Sequence, residues 1–350
     1  MNKIIAVLIS IITLLCVSGC KKNEKPEYVR HTESFIDYFD TVATVMGDET
    51  DSDTFNRIAD DVEHMLKNYH ELFDIYNSYE GKNNIYTINK NAGIAPVVVD
   101  EAIIDFIDYS KEMFDLTKGK TNITFGAVLK LWHDKRNYGI NNPEEASLPN
   151  EDDLKTAKIK SGFDKIVIDR ENSTVFITEK GVSLDVGAIA KGYATEKIAE
   201  ELESRGISGY ALNIGGNIRS IGPYKRSGDH WTAAVANPNG EGYILTLYLE
   251  KKSFVTSGSY QRFYTVDGKN YHHIIDPDTL FPANYFTSVS ILTDNSAKAD
   301  ALSTALFCMS YEEGKALVEN IPDTEAVWVN ANGEIFYSSG FEKSVYRAEE

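Results

Sequence analysis

Apolar residues recur every three or four positions in two segments of the N-terminal half. The first lies behind cap candidates at 51–53, and one face carries Phe55, Ile58, Val62, Met65, Leu66, Tyr69, Leu72 and Phe73. The second follows Asp100, and its buried side carries Ile103, Ile104, Phe106, Ile107 and Met113. Because this spacing matches the α-helical repeat, the pattern predicts two amphipathic helices with capped N-termini.

Short apolar or alternating segments, separated by turn residues, dominate the remaining chain. They predict strands over 35–45, 165–169, 174–178, 209–214, 231–236, 244–249, 262–266, 271–275 and 288–292, and a hairpin over 326–337. Two more helices are predicted, one from Ile189 to near Gly206 and one over 297–309. Long helices among hairpin-connected strands favour the α+β class. We expect a single large domain of mostly antiparallel sheets flanked by long helices. A division of this domain into two lobes is compatible with the pattern.

The N-terminus carries an apolar run from Ile4 to Val17 after Lys3, which is too short for a permanent membrane span. The run ends in Val-Ser-Gly-Cys20, which resembles a bacterial lipobox. This predicts a lipoprotein signal peptide over 1–19, a lipidated Cys20 with a polar tether over 20–34, and a folded domain over 35–345. An ordinary secretory leader with an incidental cysteine is the alternative.

Charge and cysteine content narrow the possible partners. The formal net charge of −18 argues against nucleic acid and anionic lipid, because a phosphate-rich polymer would be repelled. A bound phosphate would therefore need local help from a metal ion, a helix N-terminus or a lysine. Cys308 lies in an apolar helical stretch and is expected in the core, so no intramolecular disulfide is predicted.

The segment SLDVGAIAKGY, residues 183–193, offers such help at the start of a predicted helix. Gly187 permits close backbone approach, Lys191 lies on the first helical turn, and Asp185 just upstream could accept hydrogen bonds. The spacing matches neither a P-loop nor a dinucleotide fingerprint. Taken alone, the segment is better described as a glycine turn with a surface lysine.

Two further motifs carry polar groups. Asp300 and Thr304 lie one helical turn apart and could together bind a hard cation. Alternatively, Asp300 is an ordinary aspartate in the first helical turn, where the helix dipole favours a negative charge. His272 and His273 are adjacent on a predicted strand, so at most one faces a site, and Asp276 is expected at the strand tip before Pro277. Glycine-rich turns at 213–217 and 256–260 read as hairpin turns.

The order of these motifs is similar to that of one family. The segments are FDT (39–41), DIY (74–76), GKTNITFGAVLKLW (119–132), LDVGAIAKGYA (184–194), NIGGN (213–217), TSGSYQRF (256–263), HHIIDP (272–277) and LTDNSAKADALSTALF (292–307). Over about residues 35–340 the chain resembles the ApbE-type FAD:protein FMN transferases. The resemblance implies an ApbE-like, T-fold-like architecture.

The resemblance also implies site residues. The implied metal ligands are Asp300, Thr304 and the backbone carbonyl of Ala188. The implied FAD-site residues are Phe39, Tyr76, Lys120, Thr121, Asn122, Asp185, Lys191 and Ile274. His273 and Asp276 fall in the motif of the catalytic centre.

The implied activity is transfer of the FMN half of FAD to a threonine or serine of an exported acceptor, with release of AMP and with Mg²⁺ as cofactor. FAD is then a substrate, and the implied acceptor is a membrane electron-transport subunit. The chain would be lipid-anchored on the extracytoplasmic side of the cell membrane and would contact no nucleic acid. Hydrolysis of FAD to FMN and AMP, and flavin binding without chemistry, are the alternatives.

Overall fold

A computed structural model describes residues 26–226, 231–238 and 240–346. The helices in this part are α1 Ser52–Phe73, α2 Ile85–Lys90, α3 Glu101–Leu116, α4 Gly126–Asn141, α5 Glu151–Lys158, α6 Ala190–Ser204, α7 Ser296–Phe307 and α8 Tyr311–Val318. The strands are β1 Val29–Tyr38, β2 Thr41–Glu49, β3 Val97–Val98, β4 Ile166–Asp169, β5 Thr174–Ile177, β6 Tyr210–Ile214, β7 Asn217–Ile221, β8 Trp231–Ala236, β9 Tyr243–Leu249, β10 Ser253–Gly258, β11 Phe263–Val266, β12 Lys269–His272, β13 Ser288–Thr293, β14 Glu325–Val329, β15 Ile335–Tyr337 and β16 Val345–Tyr346.

An eight-stranded open sheet in the order β1-β2-β6-β7-β10-β13-β14-β15 forms the centre of the molecule. Every pairing within it is antiparallel. Smaller sheets are formed by β16-β9-β8, by β3-β5-β4 and by the β11-β12 hairpin. Helices and antiparallel sheets in one domain confirm the predicted α+β class.

Both faces of the central sheet are covered, because its inner strands carry apolar residues on both sides. Tyr210 and Leu212 of β6 pack in a core with α1 and α6, whereas Ala211 between them packs in a core with β8 and β9. On β13, Ile291 contacts the core that contains α7, and Leu292 faces the opposite side. The helix layer therefore lies across the middle of the sheet and brings α6 and α7 together.

The predicted capped helices and most strands are confirmed, with small shifts at their ends. Asp51 caps α1 by accepting a hydrogen bond from the Thr54 amide, and Asp100 caps α3 through the Ala102 amide. Cys308 is buried, as expected for a core residue. Hydrophobic periodicity and helix-cap residues depend on only a few neighbouring positions, so the sequence predicts these helices well.

The predicted strand 35–45 is wrong, because the chain reverses within it. β1 and β2 pair as a hairpin around Phe39 and Asp40, whose φ angles are both 53°. Positive φ at both central turn positions usually requires Asn or Gly, so Phe-Asp gives no sequence signal for this turn. β1 also begins at Val29, which places 29–34 in the sheet although the sequence assigned them to the tether.

The predicted strand 271–275 is also too long. β12 ends at His272, whose own Nδ1 accepts the Ile274 amide at 3.2 Å and so replaces a strand partner.

Helices α2, α4, α5 and α8 and strands β7 and β10 were not predicted. The signal peptide and Cys20 lie outside the described residues. Within the described part of the chain, no helix is long and apolar enough to cross a membrane.

Candidate active site

A cavity of about 930 Å³ opens where the helix layer meets one end of the central sheet. Its volume lies in the upper part of the usual range for small-molecule sites, roughly 300–1,000 Å³. Most of the predicted site residues line it: Phe39, Tyr76, Lys120, Asn122, Asp185, Ala188, Lys191, His273, Ile274, Asp300 and Thr304. Thr121 and Asp276 are not part of its lining.

The loop before α6 and the middle of α7 meet at the deep wall of this cavity. Ala188 precedes α6, Lys191 lies on its first turn, and Asp300 and Thr304 share one face of α7. Gly192 makes the close approach possible because it has no Cβ, and its amide donates to Asp300 Oδ2 at 2.8 Å. Two segments far apart in sequence thus supply a carboxylate, a hydroxyl and a carbonyl to one wall.

Asp300 is buried with only 4% of its surface exposed. Burial raises the pKa of its carboxyl, while the positive charge of Lys191 and the hydrogen bond from Gly192 oppose the rise. A buried carboxylate with so few partners is stabilised by an adjacent cation. Among the described residues, no cluster of three or more His, Cys, Asp or Glu could hold a metal ion. The candidate set here has one carboxylate and neutral oxygens.

Lys120 reaches the cavity from the loop after α3 and is held by two carboxylates. Its Nζ lies 2.7 Å from Asp276 Oδ1 and 2.9 Å from Asp278 Oδ2. Burial by itself would lower the pKa of Lys120, but the hydrogen bonds that it donates to these two carboxylates raise the pKa overall. Asp276 is itself buried, and it lies four residues beyond the end of β12 rather than at a strand tip. Its structural role is to fix Lys120.

The two residues after Lys120 have different surroundings. Thr121 is buried, and its hydroxyl donates to the Ala301 carbonyl of α7 at 2.6 Å. Asn122 lines the cavity, and its Oδ1 accepts from the amide and the hydroxyl of Thr124. Thr121 therefore ties this loop to α7, and Asn122 shapes the wall beside it.

Only one of the adjacent histidines faces the cavity, as the sequence predicted. His272 points away: its Nε2 is 2.7 Å from the Ala283 carbonyl, and its ring packs edge-on against Phe307. His273 lines the cavity, and its Nδ1 is 3.1 Å from the Arg262 carbonyl. A carbonyl can only accept, so Nδ1 carries the hydrogen and the Nε2 lone pair is free.

Burial lowers the pKa of His273 to about 3, and the positive charges of Arg262 and Arg136 act in the same direction. Neutral imidazole is therefore the form present near pH 7. Histidine ordinarily changes charge near neutral pH, but these surroundings prevent it at this position. A neutral ring with a free Nε2 can accept a proton but cannot donate one from that atom.

The rim of the cavity is formed by the β1–β2 turn, the end of α1 and the loop before α6. The Phe39 amide donates to His70 Nδ1 at 3.2 Å, which fixes the turn against α1. Tyr76 is 59% exposed, and its hydroxyl lies 3.2 Å from His133 Nδ1. Asp185 Oδ1 accepts the Gly187 amide at 3.1 Å.

Helix α4 contributes site residues that sequence analysis did not single out. Leu129, His133 and Arg136 recur at spacings of four and three and line the cavity together. Burial lowers the pKa of His133, with Asp185 opposing and Arg136 reinforcing the shift. The helical spacing within 119–141 was the available signal. The glycine turn at 215–217 and the end of β10 at 256–258 also line the cavity, so the interpretation of 256–260 as a hairpin turn is wrong for its first three residues.

Comparison with known proteins assigns the chain to a family. The model of the ApbE family matches residues 37–328. A FAD:protein FMN transferase of Treponema pallidum is 34% identical over 270 residues, covering 72% of each chain. One from Klebsiella pneumoniae is 28% identical over 285 residues, covering 81% of this chain and 85% of the relative.

The solved structures agree with this assignment. The ApbE protein of Thermotoga maritima superposes with a TM-score of 0.77 at 28% identity, covering 92% of this chain and 100% of that one. The flavin transferase ApbE of Vibrio cholerae gives a TM-score of 0.74 at 24% identity, covering 91% and 99%, and supports the fold. The matched region contains the β1–β2 turn, the loop before α6, and α7. On these grounds the chain belongs to the ApbE family.

Proposed function

We propose that this protein is a FAD:protein FMN transferase that moves the FMN half of FAD to a threonine or serine hydroxyl of an exported acceptor protein. The observation that carries the proposal is the single cavity wall on which Asp300, Thr304 and Ala188 lie beside Lys191. A pyrophosphate needs cations, and this wall combines a lysine with an oxygen-rich set that suits a metal ion. Names of relatives as FAD:protein FMN transferases point the same way.

The oxygen donors fit Mg²⁺. Asp300 offers a buried carboxylate, Ala188 a carbonyl, and the Thr304 hydroxyl makes no hydrogen bond among the described residues. Magnesium prefers oxygen ligands and usually keeps several waters, so one carboxylate with two neutral oxygens is sufficient protein ligation. Zinc would call for histidine or cysteine. When bound, Mg²⁺ would offset negative charge on the pyrophosphate oxygens.

The side chains of the cavity account for the remaining chemistry. Lys191 and Lys120 bind phosphate oxygens, and the ion pair with Asp276 keeps Lys120 in place. The acceptor oxygen forms a bond to the FMN-side phosphorus while the bond from that phosphorus to the AMP oxygen breaks. Nε2 of neutral His273 accepts a hydrogen bond from the acceptor hydroxyl and orients it, and the hydroxyl proton leaves with AMP. Positioning and charge stabilisation supply most of the catalysis in such transfers.

The location and the acceptor belong to the same proposal. Residues 1–19 would be removed, Cys20 would carry the lipid, and the domain would work on the extracytoplasmic side of the cell membrane. The acceptor would be a membrane electron-transport subunit with an accessible threonine or serine. Replacing Cys20 with serine and following the chain by cell fractionation tests the anchor, and retention in the membrane fraction would contradict it.

The function itself is tested by incubating the purified full chain with FAD, Mg²⁺ and candidate exported proteins. The proposal expects an acceptor mass increased by one FMN, together with one AMP for each adduct. AMP released without an adduct on any acceptor would show hydrolysis by water instead. FAD bound without AMP release would show a flavin-binding protein. Chelation of divalent cations is expected to abolish the transfer.

A further inference from the structure

Helices α6 and α7 are joined by a reciprocal pair of hydrogen bonds. The Gly192 amide of α6 donates to Asp300 Oδ2 of α7 at 2.8 Å. In return, the Ser296 amide at the start of α7 donates to Glu196 Oε2 of α6 at 2.5 Å. In each helix the amide and the carboxylate are four residues apart and share one face. Each helix therefore supplies one hydrogen-bond donor and one acceptor to its neighbour.

Glu196 is itself held from the sheet by Arg219 of β7. Arg219 Nε lies 3.2 Å from both carboxylate oxygens, and its Nη2 lies 3.1 Å from Oε1. The two side chains are each only 5% exposed. A buried ion pair is tolerated when further hydrogen bonds satisfy it, and here the Ser296 amide and the Ser220 carbonyl do so.

The geometry leaves little freedom at the crossing of the two helices. A Cβ atom on Gly192 would lie 2.4 Å from Asp300 Cβ and 2.4 Å from the Ser296 carbonyl oxygen. The backbones are therefore in direct contact where the reciprocal bonds form. Such contact makes the helix positions sensitive to the loss of either bond.

Neither Glu196 nor Arg219 lines the cavity, so both act through other residues. We propose that Glu196 and Arg219 are positioning residues, which lock α6 against α7 so that the Ala188 carbonyl and the Asp300 carboxylate face the same cation. This inference rests on the metal site of the proposed function. The buried ion pair on the sheet side sets the separation of two ligands, one from the loop before α6 and one from α7.

The inference separates metal affinity from general stability. Loss of the Glu196 charge leaves Asp300, Thr304 and Ala188 present but frees α7 to shift relative to α6. Replacing a residue that orients a metal ligand typically weakens metal binding by 10–100-fold. Because Glu196 acts through the helix pair, we expect the lower end of that range, about tenfold.

The test uses the full chain with Glu196→Gln, which keeps the shape and removes the charge. Binding of Mn²⁺, a paramagnetic substitute for Mg²⁺, is measured by electron paramagnetic resonance, and exchange of the Gly192 amide by hydrogen–deuterium mass spectrometry. We expect about tenfold weaker Mn²⁺ binding and faster exchange at Gly192. Transfer activity should recover as the Mg²⁺ concentration is raised. Arg219→Lys offers one nitrogen in place of two and should show a smaller change.

Asp48→Asn is the matched control. Asp48 is fully buried and accepts from Arg30 Nε at 3.0 Å and from the Lys225 amide at 3.1 Å. It lies seven residues beyond cavity residue Thr41 on β2, which is roughly 23 Å at strand spacing. This variant should lower the melting temperature and leave Mn²⁺ affinity within about twofold of wild type.

Each other outcome contradicts the inference. Wild-type Mn²⁺ affinity in a folded Glu196→Gln variant would overturn it and leave the transferase proposal intact. Equal weakening by Glu196→Gln and Asp48→Asn would mean general destabilisation and would also overturn it. If Glu196→Gln fails to fold, the same two measurements on Arg219→Lys decide. A wild-type chain that binds no Mn²⁺ would overturn the metal site first, and this inference with it.

Discussion

Gly192→Ala tests how closely α6 and α7 must approach for the site to work. The added Cβ would lie 2.4 Å from Asp300 Cβ, whereas carbon atoms in contact normally lie about 3.5–4.0 Å apart. The Ser296 carbonyl oxygen is equally close, so turning one side chain does not relieve the clash. The helices must separate by roughly 1 Å at this point.

The sign of the stability change makes this variant informative. In an ordinary helix, replacing glycine with alanine stabilises by about 1 kcal/mol. Overpacking of a close contact costs about 1–3 kcal/mol, so we expect a net loss of up to about 2 kcal/mol for Gly192→Ala. At roughly 2–4 °C per kcal/mol, the melting temperature should fall by up to about 8 °C. A shift of about 1 Å between the metal ligands can reduce the rate by about 100-fold.

Gly314→Ala is the control, because Gly314 is also a buried glycine within a helix, α8. Its added Cβ would meet Leu306 Cδ2 at 3.3 Å and Trp328 Cζ2 at 3.4 Å, where a flexible side-chain end can yield. Calorimetry and FMN transfer are measured for both variants. Gly314→Ala should keep full activity and a melting temperature close to wild type. Unchanged stability and activity in Gly192→Ala would refute the close-contact reasoning.

Three further predictions concern the cavity. Asp300→Asn keeps the shape but should lower FMN transfer by at least about 100-fold and weaken Mn²⁺ binding, and activity that is independent of divalent cations would contradict it. Folded His273 has a pKa of about 3, so kcat/KM for FAD should show no acid limb between pH 6 and 7 from this group. In the unfolded chain this histidine is protonated as the pH falls through that range, so acidification should favour unfolding. Asp276→Asn removes the negative charge 2.7 Å from Lys120 Nζ and should raise KM for FAD about tenfold with a smaller change in kcat, so an unchanged KM would contradict the positioning role.

Several parts of the site were accessible from sequence alone. Asp300 and Thr304 share a helix face by spacing, and adjacent histidines on an extended segment must point apart. Both inferences use local geometry, which holds in any surroundings. The family resemblance then supplied Ala188, whose backbone carbonyl has no side-chain signal at all. The structure places all three oxygens on one cavity wall.

Other parts could not be predicted, because they depend on what a residue meets across the fold. Asp276 looked like a free carboxylate after a strand, but it is buried and paired with Lys120, which lies 156 residues away in sequence. An ordinary histidine titrates near neutral pH, but burial beside cationic groups keeps His273 neutral. For Arg136 the helical spacing was the available signal, but its place in the cavity depends on how α4 packs.

The sequence by itself determined the main amphipathic helices, most of the strands, the α+β class and the order of motifs that indicates the family, and the signal peptide stays a prediction. These follow from periodicity, capping and turn chemistry, which act over a few residues. Only the tertiary structure decided which carboxylates are free, which histidine is neutral, and how near α6 lies to α7. Charge state and ligand separation depend on burial and on contacts between distant segments, as the reciprocal bonds of Gly192 with Asp300 and Ser296 with Glu196 demonstrate.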